Sequence, residues 1–236
     1  MQNNILTESW IKLPWQMSFS ERQALISILS KLQPKLSLEI GTYKGGSLQA
    51  FSKFSKEVIS VDIDPGVAKL SSQFPNTRFV TGDSAITLAA LVTEFNTSGR
   101  FPEVILVDGD HSEAGVRKDL NLLLTLRPTS PVIILMHDSF NPGCRRGIIS
   151  ADWIGNPHVR SLEVDLVTGV YHRKAKDTAQ ANSMWGGLAM AILDAPNPNP
   201  TQKIIQTSKD LFDIVFAEHK RVNRSLASIV RKLICR

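Results

Sequence analysis

The sequence predicts a doubly wound α/β fold: a mostly parallel sheet of about seven strands, with an antiparallel final strand pair. Three observations predict it. Five short apolar runs alternate with segments of helical periodicity, the pattern of a parallel sheet covered on both faces. The first run passes directly into a glycine turn, Gly41-Thr42-Tyr43-Lys44-Gly45-Gly46, before a helix. Acids stand at or near the ends of the runs, at Glu39, Asp62, Asp83, Asp108 and Asp138. In such sheets the carboxyl ends of the strands hold the ligand, where strand order reverses.

Ser18 and Ser20 each open a capping-box pattern, and Ala24, Leu25, Ile28, Leu29 and Leu32 recur at helical spacing until Pro34 stops the helix. Residues 1–34 are therefore read as an N-terminal helical cap, with Trp10 and Trp15 as core anchors. The strands and helices that follow are Leu36–Ile40, Ser47–Phe54, Val58–Asp62, a helix opened by Pro65, Arg78–Thr81, Ser84–Phe95, Val104–Asp108, Ser112–Leu124 and Val132–Met136. A strand feeding a glycine turn and a helix leaves free backbone N–H groups and lets a ligand approach the main chain. Asp62, about twenty residues after that turn, stands where this fold places a carboxylate for a ribose diol. A nucleoside-bearing ligand is the first expectation.

Beyond Phe140 the alternation fails. Asn141 to Gly147 reads as a loop, Ile148–Ile154 as a short helix, Arg160–Val167 and Val170–His172 as strands, Lys174–Ser183 as loop and Leu188–Leu193 as a strand. Residues 35–195 read as one domain. Pro196-Asn197-Pro198-Asn199-Pro200 breaks the chain, and Gln202 to Ile234 reads as one or two amphipathic helices.

At 236 residues, with 42% hydrophobic and 21% charged residues, the composition is that of a globular protein with a sizeable core. No apolar run reaches the length of a membrane span, and no secretion signal opens the chain. Cys144 and Cys235 make no disulfide framework, which fits a reducing cytoplasm. Eight Lys/Arg and three acids in residues 201–236 account for the whole net charge of +5. The body is therefore neutral, and a nucleic-acid partner is not expected. The basic helix at 201–236, with Leu226, Ile229, Val230, Leu233 and Ile234 on one side, could pack on the domain, meet a second copy or lie on an anionic membrane.

With these residues in hand, the chain resembles class I S-adenosylmethionine-dependent methyltransferases. Glu39-Ile40-Gly41-Thr42-Tyr43-Lys44-Gly45 is similar to their cofactor loop, Asp62 to the acid after the second strand, and Gly82-Asp83-Ser84 to the segment beside the adenine. Val107-Asp108-Gly109-Asp110-His111-Ser112-Glu113, with Met136-His137-Asp138, resembles the metal-dependent O-methyltransferase branch that includes macrolide sugar methyltransferases and cephalosporin hydroxylase-like proteins. The resemblance implies S-adenosyl-L-methionine as co-substrate and a small hydroxylated acceptor, such as a sugar or natural product. It implies Glu39, Gly41, Gly45, Ser47, Asp62, Asp83, Ser84 and Asp108 around the donor. Asp108, His137 and Asp138 would hold Mg²⁺ or Mn²⁺, and His111 would be the general base. The branch carries an acid directly before the Asp138 position, where this chain has His137.

Two alternatives stay open at this point: an NAD(P)-dependent oxidoreductase and a non-catalytic S-adenosylmethionine-binding protein. Against the first, Tyr43 stands where the dinucleotide fingerprint needs its second glycine, and its Cβ would obstruct a pyrophosphate. Asp83 reads as an adenine neighbour or a helix cap, and Arg145 and Arg146 as a clamp for an acidic acceptor or a solvated pair.

Overall fold

A computed structural model of the chain describes residues 10–172, 183–200 and 203–234, with side chains as far as Arg221. In chain order the elements are α1 (Phe19–Leu32), β1 (Leu36–Ile40), α2 (Leu48–Phe54), β2 (Glu57–Asp62), a 3₁₀ helix (Pro65–Ser72), β3 (Thr77–Thr81), α3 (Ser84–Ser98), β4 (Val104–Val107), α4 (Glu113–Leu123) and β5 (Val132–His137). Then come α5 (Pro142–Ile149), β6 (Val159–Val167), β7 (Val170–His172), β8 (Ser183–Trp185), β9 (Leu188–Leu193), β10 (Ile204–Ile205) and α6 (Lys209–Ile234).

Eight strands form one sheet in the order β10-β6-β9-β5-β4-β1-β2-β3, and β7 pairs with β8 in a separate two-stranded sheet. Within the large sheet β9 runs antiparallel to both neighbours, β5 and β6, while the other pairs are parallel. Strand order reverses between β1 and β4, whose last residues Ile40 and Val107 are partners. The chain ends that open the ligand crevice are therefore those after Ile40 and Val107.

Pleating divides the core. In β4, Ile105 and Val107 join the layer formed with α3 and α4, while Val104 and Leu106 join the layer formed with α1 and α2. In β1, Leu36, Leu38 and Ile40 take the first layer, which leaves Ser37 and Glu39 on the α2 side. Both are buried there with partners: Ser37 Oγ lies 2.8 Å from Ser55 Oγ, and Glu39 accepts from two serines.

The first of the two capping boxes is the one used. Glu21 N donates to Ser18 Oγ at 3.4 Å and Ser18 N donates to the Glu21 carboxylate. The stretch read as a loop at 141–147 is instead the start of α5. Asn141 Oδ1 accepts from Gly143 N at 2.9 Å, and Pro142 occupies the first turn, where its missing N–H costs nothing. Two glycines in that stretch, Gly143 and Gly147, hide the helix from a propensity reading. The two-residue strand β10 was also not expected; it adds to the β6 edge. The tail helix begins at Lys209 and runs as one element, while the apolar side chains named on it from Leu226 onward lie outside the described residues. So do residues 1–9 of the expected cap and most of the expected loop, residues 173–182. No helix among the described residues is long and apolar enough to cross a membrane.

Candidate active site

A cavity of about 960 Å³ opens at the switch point, walled by the ends of β1, β2, β3, β4 and β5, the segment before α1, and the β7–β8 pair. Gly41 sits at its floor with φ +94°, and a Cβ there would lie 2.2 Å from the Asp108 carbonyl oxygen. Only glycine allows β1 and β4 to release the chain this close together.

Asp62 lies beside Gly41 in the cavity wall and is already engaged. Its Oδ2 accepts from Thr42 N and Tyr43 N, and its Oδ1 from Asp64 N, each at 2.8 Å. A carboxylate offers about four acceptor sites, so one remains for a ligand rather than the pair expected for a ribose diol. Asp62 therefore shapes the glycine turn as well as facing the cavity.

Glu39 does not reach the cavity. It is fully buried behind the turn, where Ser47 Oγ donates to Oε1 at 2.6 Å and Ser60 Oγ to Oε2 at 2.8 Å. Burial pushes its carboxyl up to about 7, against the lowering effect of those two hydrogen bonds. Ser47 lines the cavity but turns its hydroxyl to Glu39. Gly45 faces away, toward Leu13 and Leu70. Asp83 and Ser84 both line the cavity, and Asp83 is also the N-cap of α3, accepting from Ala85 N at 2.7 Å. Ser84 Oγ donates to the buried Asp119 at 2.7 Å, and burial raises the Asp119 carboxyl.

At the other end stand Asp108, His111, His137 and Asp138, each offering one ligand atom, all within 4.8 Å of one another. Asp108 follows β4 and Asp138 follows β5, so neighbouring strands bring the two acids together. His111 is carried by the turn before α4, whose N-cap is Ser112 and not His111. Its Nε2 lies 3.1 Å from Asp138 Oδ2 and 3.6 Å from Asp108 Oδ1. His137 Nδ1 lies 2.9 Å from Asp108 Oδ1 and 3.6 Å from Asp138 Oδ2. Asp138 sits at φ +56°, a left-handed conformation uncommon for a residue with a side chain. Gly186 N, donating to Asp138 Oδ1 at 2.6 Å, helps hold it there.

The electrostatics follow from this crowding. Burial would raise Asp108, but attraction to His137 and hydrogen bonds from His111 and His137 hold it down at about 2. Hydrogen bonding to Asp108 and Asp138 raises His111 to about 10 against burial. Burial opposes protonation of His137, and the surrounding carboxylates, Asp108 first, overcome it and hold the ring well above its ordinary value. The imidazoles thus share charge with the acids, and His111 is not a free neutral base beside two bare carboxylates. Two carboxylates and an imidazole in one shell suit a first-row transition ion such as Mn²⁺ better than Mg²⁺, which prefers an all-oxygen shell. The donor set of Asp108, His137 and Asp138 fits such an ion, and His111 stands beside it with Nε2 toward Asp138.

Three residues the sequence did not single out complete the site. Glu21 is buried and lies 3.5 Å from His137 Nε2. Trp185 crosses His111 edge to face, with ring centroids 5.8 Å apart. His172 lines the same cavity from β7. The signal for Glu21 was present: it stands four residues before Leu25 and eight before Leu29, on the buried stripe of α1. Asp110 turns to Ser112 N, at 2.7 Å. Neither arginine after Asp138 serves as a clamp in the cavity. Arg145 is buried against Asp165 at 2.6 Å, and Arg146 pairs with Glu113 at 2.5 Å on the surface.

Residues 38–139 match the family profile described as a methyltransferase domain. No curated protein matches the chain. Among solved structures, a candidate O-methyltransferase from Klebsiella pneumoniae aligns with a TM-score of 0.53 and 18% identity, covering 78% of this chain and 84% of that one. Cofactor-bound Rv0187 from MTB aligns with a TM-score of 0.50 and 19% identity, covering 78% and 85%. At these identities the likeness shows the fold, and nothing in it favours an oxidoreductase.

Proposed function

We propose an O-methyltransferase, on the strength of the Rossmann-like fold and the match of residues 38–139 to a methyltransferase-domain profile. It would act on a small hydroxylated acceptor in the cytoplasm, with a divalent cation at Asp108, His137 and Asp138 and His111 beside it as the base. The observation that carries this reading is that Asp62 and the four-residue cluster wall one continuous cavity. A donor held at the Gly41 and Asp62 end points its reactive end toward acid–base groups.

The donor, when bound, supplies a methyl group on a positively charged sulfur. Asp62 accepts one ribose hydroxyl with its remaining lone pair while its other contacts keep the turn in shape. Asp83 and Ser84 flank the base from the start of α3. The acceptor enters on the Trp185 and His172 side, where His111 Nε2 is the atom placed to receive its hydroxyl proton. With a cation held by Asp108 and Asp138, those carboxylates would stabilise the imidazolium less, and His111 would fall toward the range of a working base. Trp185 packs edge to face on the His111 ring.

A metal-independent version of the same transfer is favoured by one observation. The two acids and two imidazoles already pair with one another at 2.9 Å and 3.1 Å. Calorimetry with S-adenosylhomocysteine, with and without Mn²⁺ and after chelation, tests both versions. Wild-type protein should bind the nucleoside, and Asp62→Ala should weaken it about 10- to 100-fold, the loss of a charge-assisted hydrogen bond and of the turn. Absence of binding in the wild type refutes the methyltransferase reading. Methyl transfer to an acceptor that survives chelation assigns the metal-independent version.

A further inference from the structure

Glu21 is 1% exposed, 116 positions before His137 in the chain, and faces it across the top of the sheet. An imidazole has two distinct nitrogens, and the contacts here tell them apart. Nδ1 faces the cluster, 2.9 Å from Asp108 Oδ1 and 3.6 Å from Asp138 Oδ2. Nε2 faces Glu21 Oε1 at 3.5 Å, an ion-pair distance longer than a formed hydrogen bond, and is otherwise a buried nitrogen without a partner. An ionised carboxylate can only accept, so the nitrogen turned to it is the one that keeps a hydrogen.

Glu21 is itself fixed on two further sides. Ser18 N donates to Oε2, and Gly187 N donates to Oε1. A Cβ on Gly186 would come within 2.7 Å of Oε1, so the Gly186-Gly187 turn packs directly on the carboxylate. The acid is thus held by α1, by the capping residue and by the turn into β9, and all three aim it at one ring nitrogen.

Resting on the metal-assisted reading above, we propose that Glu21 is a positioning residue for the cation site: it fixes the His137 ring so that Nδ1 is presented to the ion shared with Asp108 and Asp138. A carboxylate behind a ligating histidine sets the ring's tautomer and orientation, and its loss weakens metal binding 10- to 100-fold as a general tendency.

The test compares wild type, Glu21→Gln and Ser18→Ala by Mn²⁺ titration calorimetry and by the visible absorption of added Co²⁺. Ser18→Ala removes the other half of the same capping box and leaves the carboxylate facing His137, so it reports the purely structural loss. The expected result is a Mn²⁺ affinity about 10- to 100-fold lower and an altered Co²⁺ band in Glu21→Gln, with Ser18→Ala like wild type. Wild-type affinity and spectrum in Glu21→Gln overturn the proposal, and so does an equal loss in Ser18→Ala. If Glu21→Gln does not fold, Glu21→Asp keeps the charge but draws it back one methylene; lowered affinity supports the proposal and wild-type affinity overturns it. A wild-type protein that binds S-adenosylhomocysteine but takes up neither ion removes the metal-assisted reading and this proposal with it. Failure confined to the Glu21 variants leaves that reading standing.

Discussion

Glu39→Gln should remove a pH-dependent loss of stability. Glu39 is buried on the α2 side of β1, and its carboxyl stands at about 7 against 4.5 in an ordinary setting. Between those values the folded chain keeps a proton that the unfolded chain has released. The native state therefore binds more protons, and stability falls as pH rises through this window. The full shift corresponds to about 3 kcal/mol, of which about 2.5 kcal/mol falls between pH 5 and pH 8. Glutamine resembles the protonated acid, can still accept from one of Ser47 and Ser60, and does not titrate. His111 is raised too, so it also loses stability with rising pH above its ordinary value of 6.5. That change is common to both proteins and cancels in their difference. Urea unfolding at four pH values should show Glu39→Gln gaining on wild type by about 2.5 kcal/mol from pH 5 to pH 8. A gap that is constant with pH, or that moves the other way, refutes the assignment of a buried, raised carboxyl.

Three further outcomes are expected. His111→Ala should lower methyl transfer about 100- to 10,000-fold while leaving S-adenosylhomocysteine affinity unchanged, measured by single-turnover assay and calorimetry. Gly41→Ala places a Cβ 2.2 Å from the Asp108 carbonyl oxygen at φ +94° and should destabilise the fold by about 3 kcal/mol, read as a thermal midpoint lowered by roughly 6–12 °C. Arg145→Met leaves Asp165 buried and unpaired and should cost about 3–5 kcal/mol. Because Arg145 also stacks on Phe212 at 4.2 Å, the variant should release α6 to limited proteolysis before the sheet unfolds.

Much of this architecture was legible because its causes are local. The alternation of Leu36, Leu38 and Ile40 fixes a strand, Gly41 ends it, and the same sequence logic repeats at Asp62 and Asp108. The site was legible as a set of strand ends, since the fold gathers those at one edge. A strand end alone does not fix which way its side chains point. Glu39 lies one residue before its strand ends, so the pleat turns it away from the cavity, whereas Asp62 and Asp108 face it. Partners distant in the chain were also invisible. Nothing near His137 announces Glu21, and nothing near Arg145 announces Asp165, twenty positions on. The helix at Pro142 was lost for a different reason. Its capping signal was in plain view, but Gly143 and Gly147 argued against a helix that burial of Cys144 and Ile148 favours.

The junction at His137 ties together chain segments that are synthesised far apart. Glu21 arrives on the first helix and Gly187 on the approach to β9, and their mutual contact spans 166 positions. A fragment limited to residues 38–139 would retain the glycine turn, Asp62 and all four clustered side chains, yet lack both pieces that roof them. The reactive chamber is consequently a property of the assembled molecule, finished only when its beginning and its late strands have closed over the same ring.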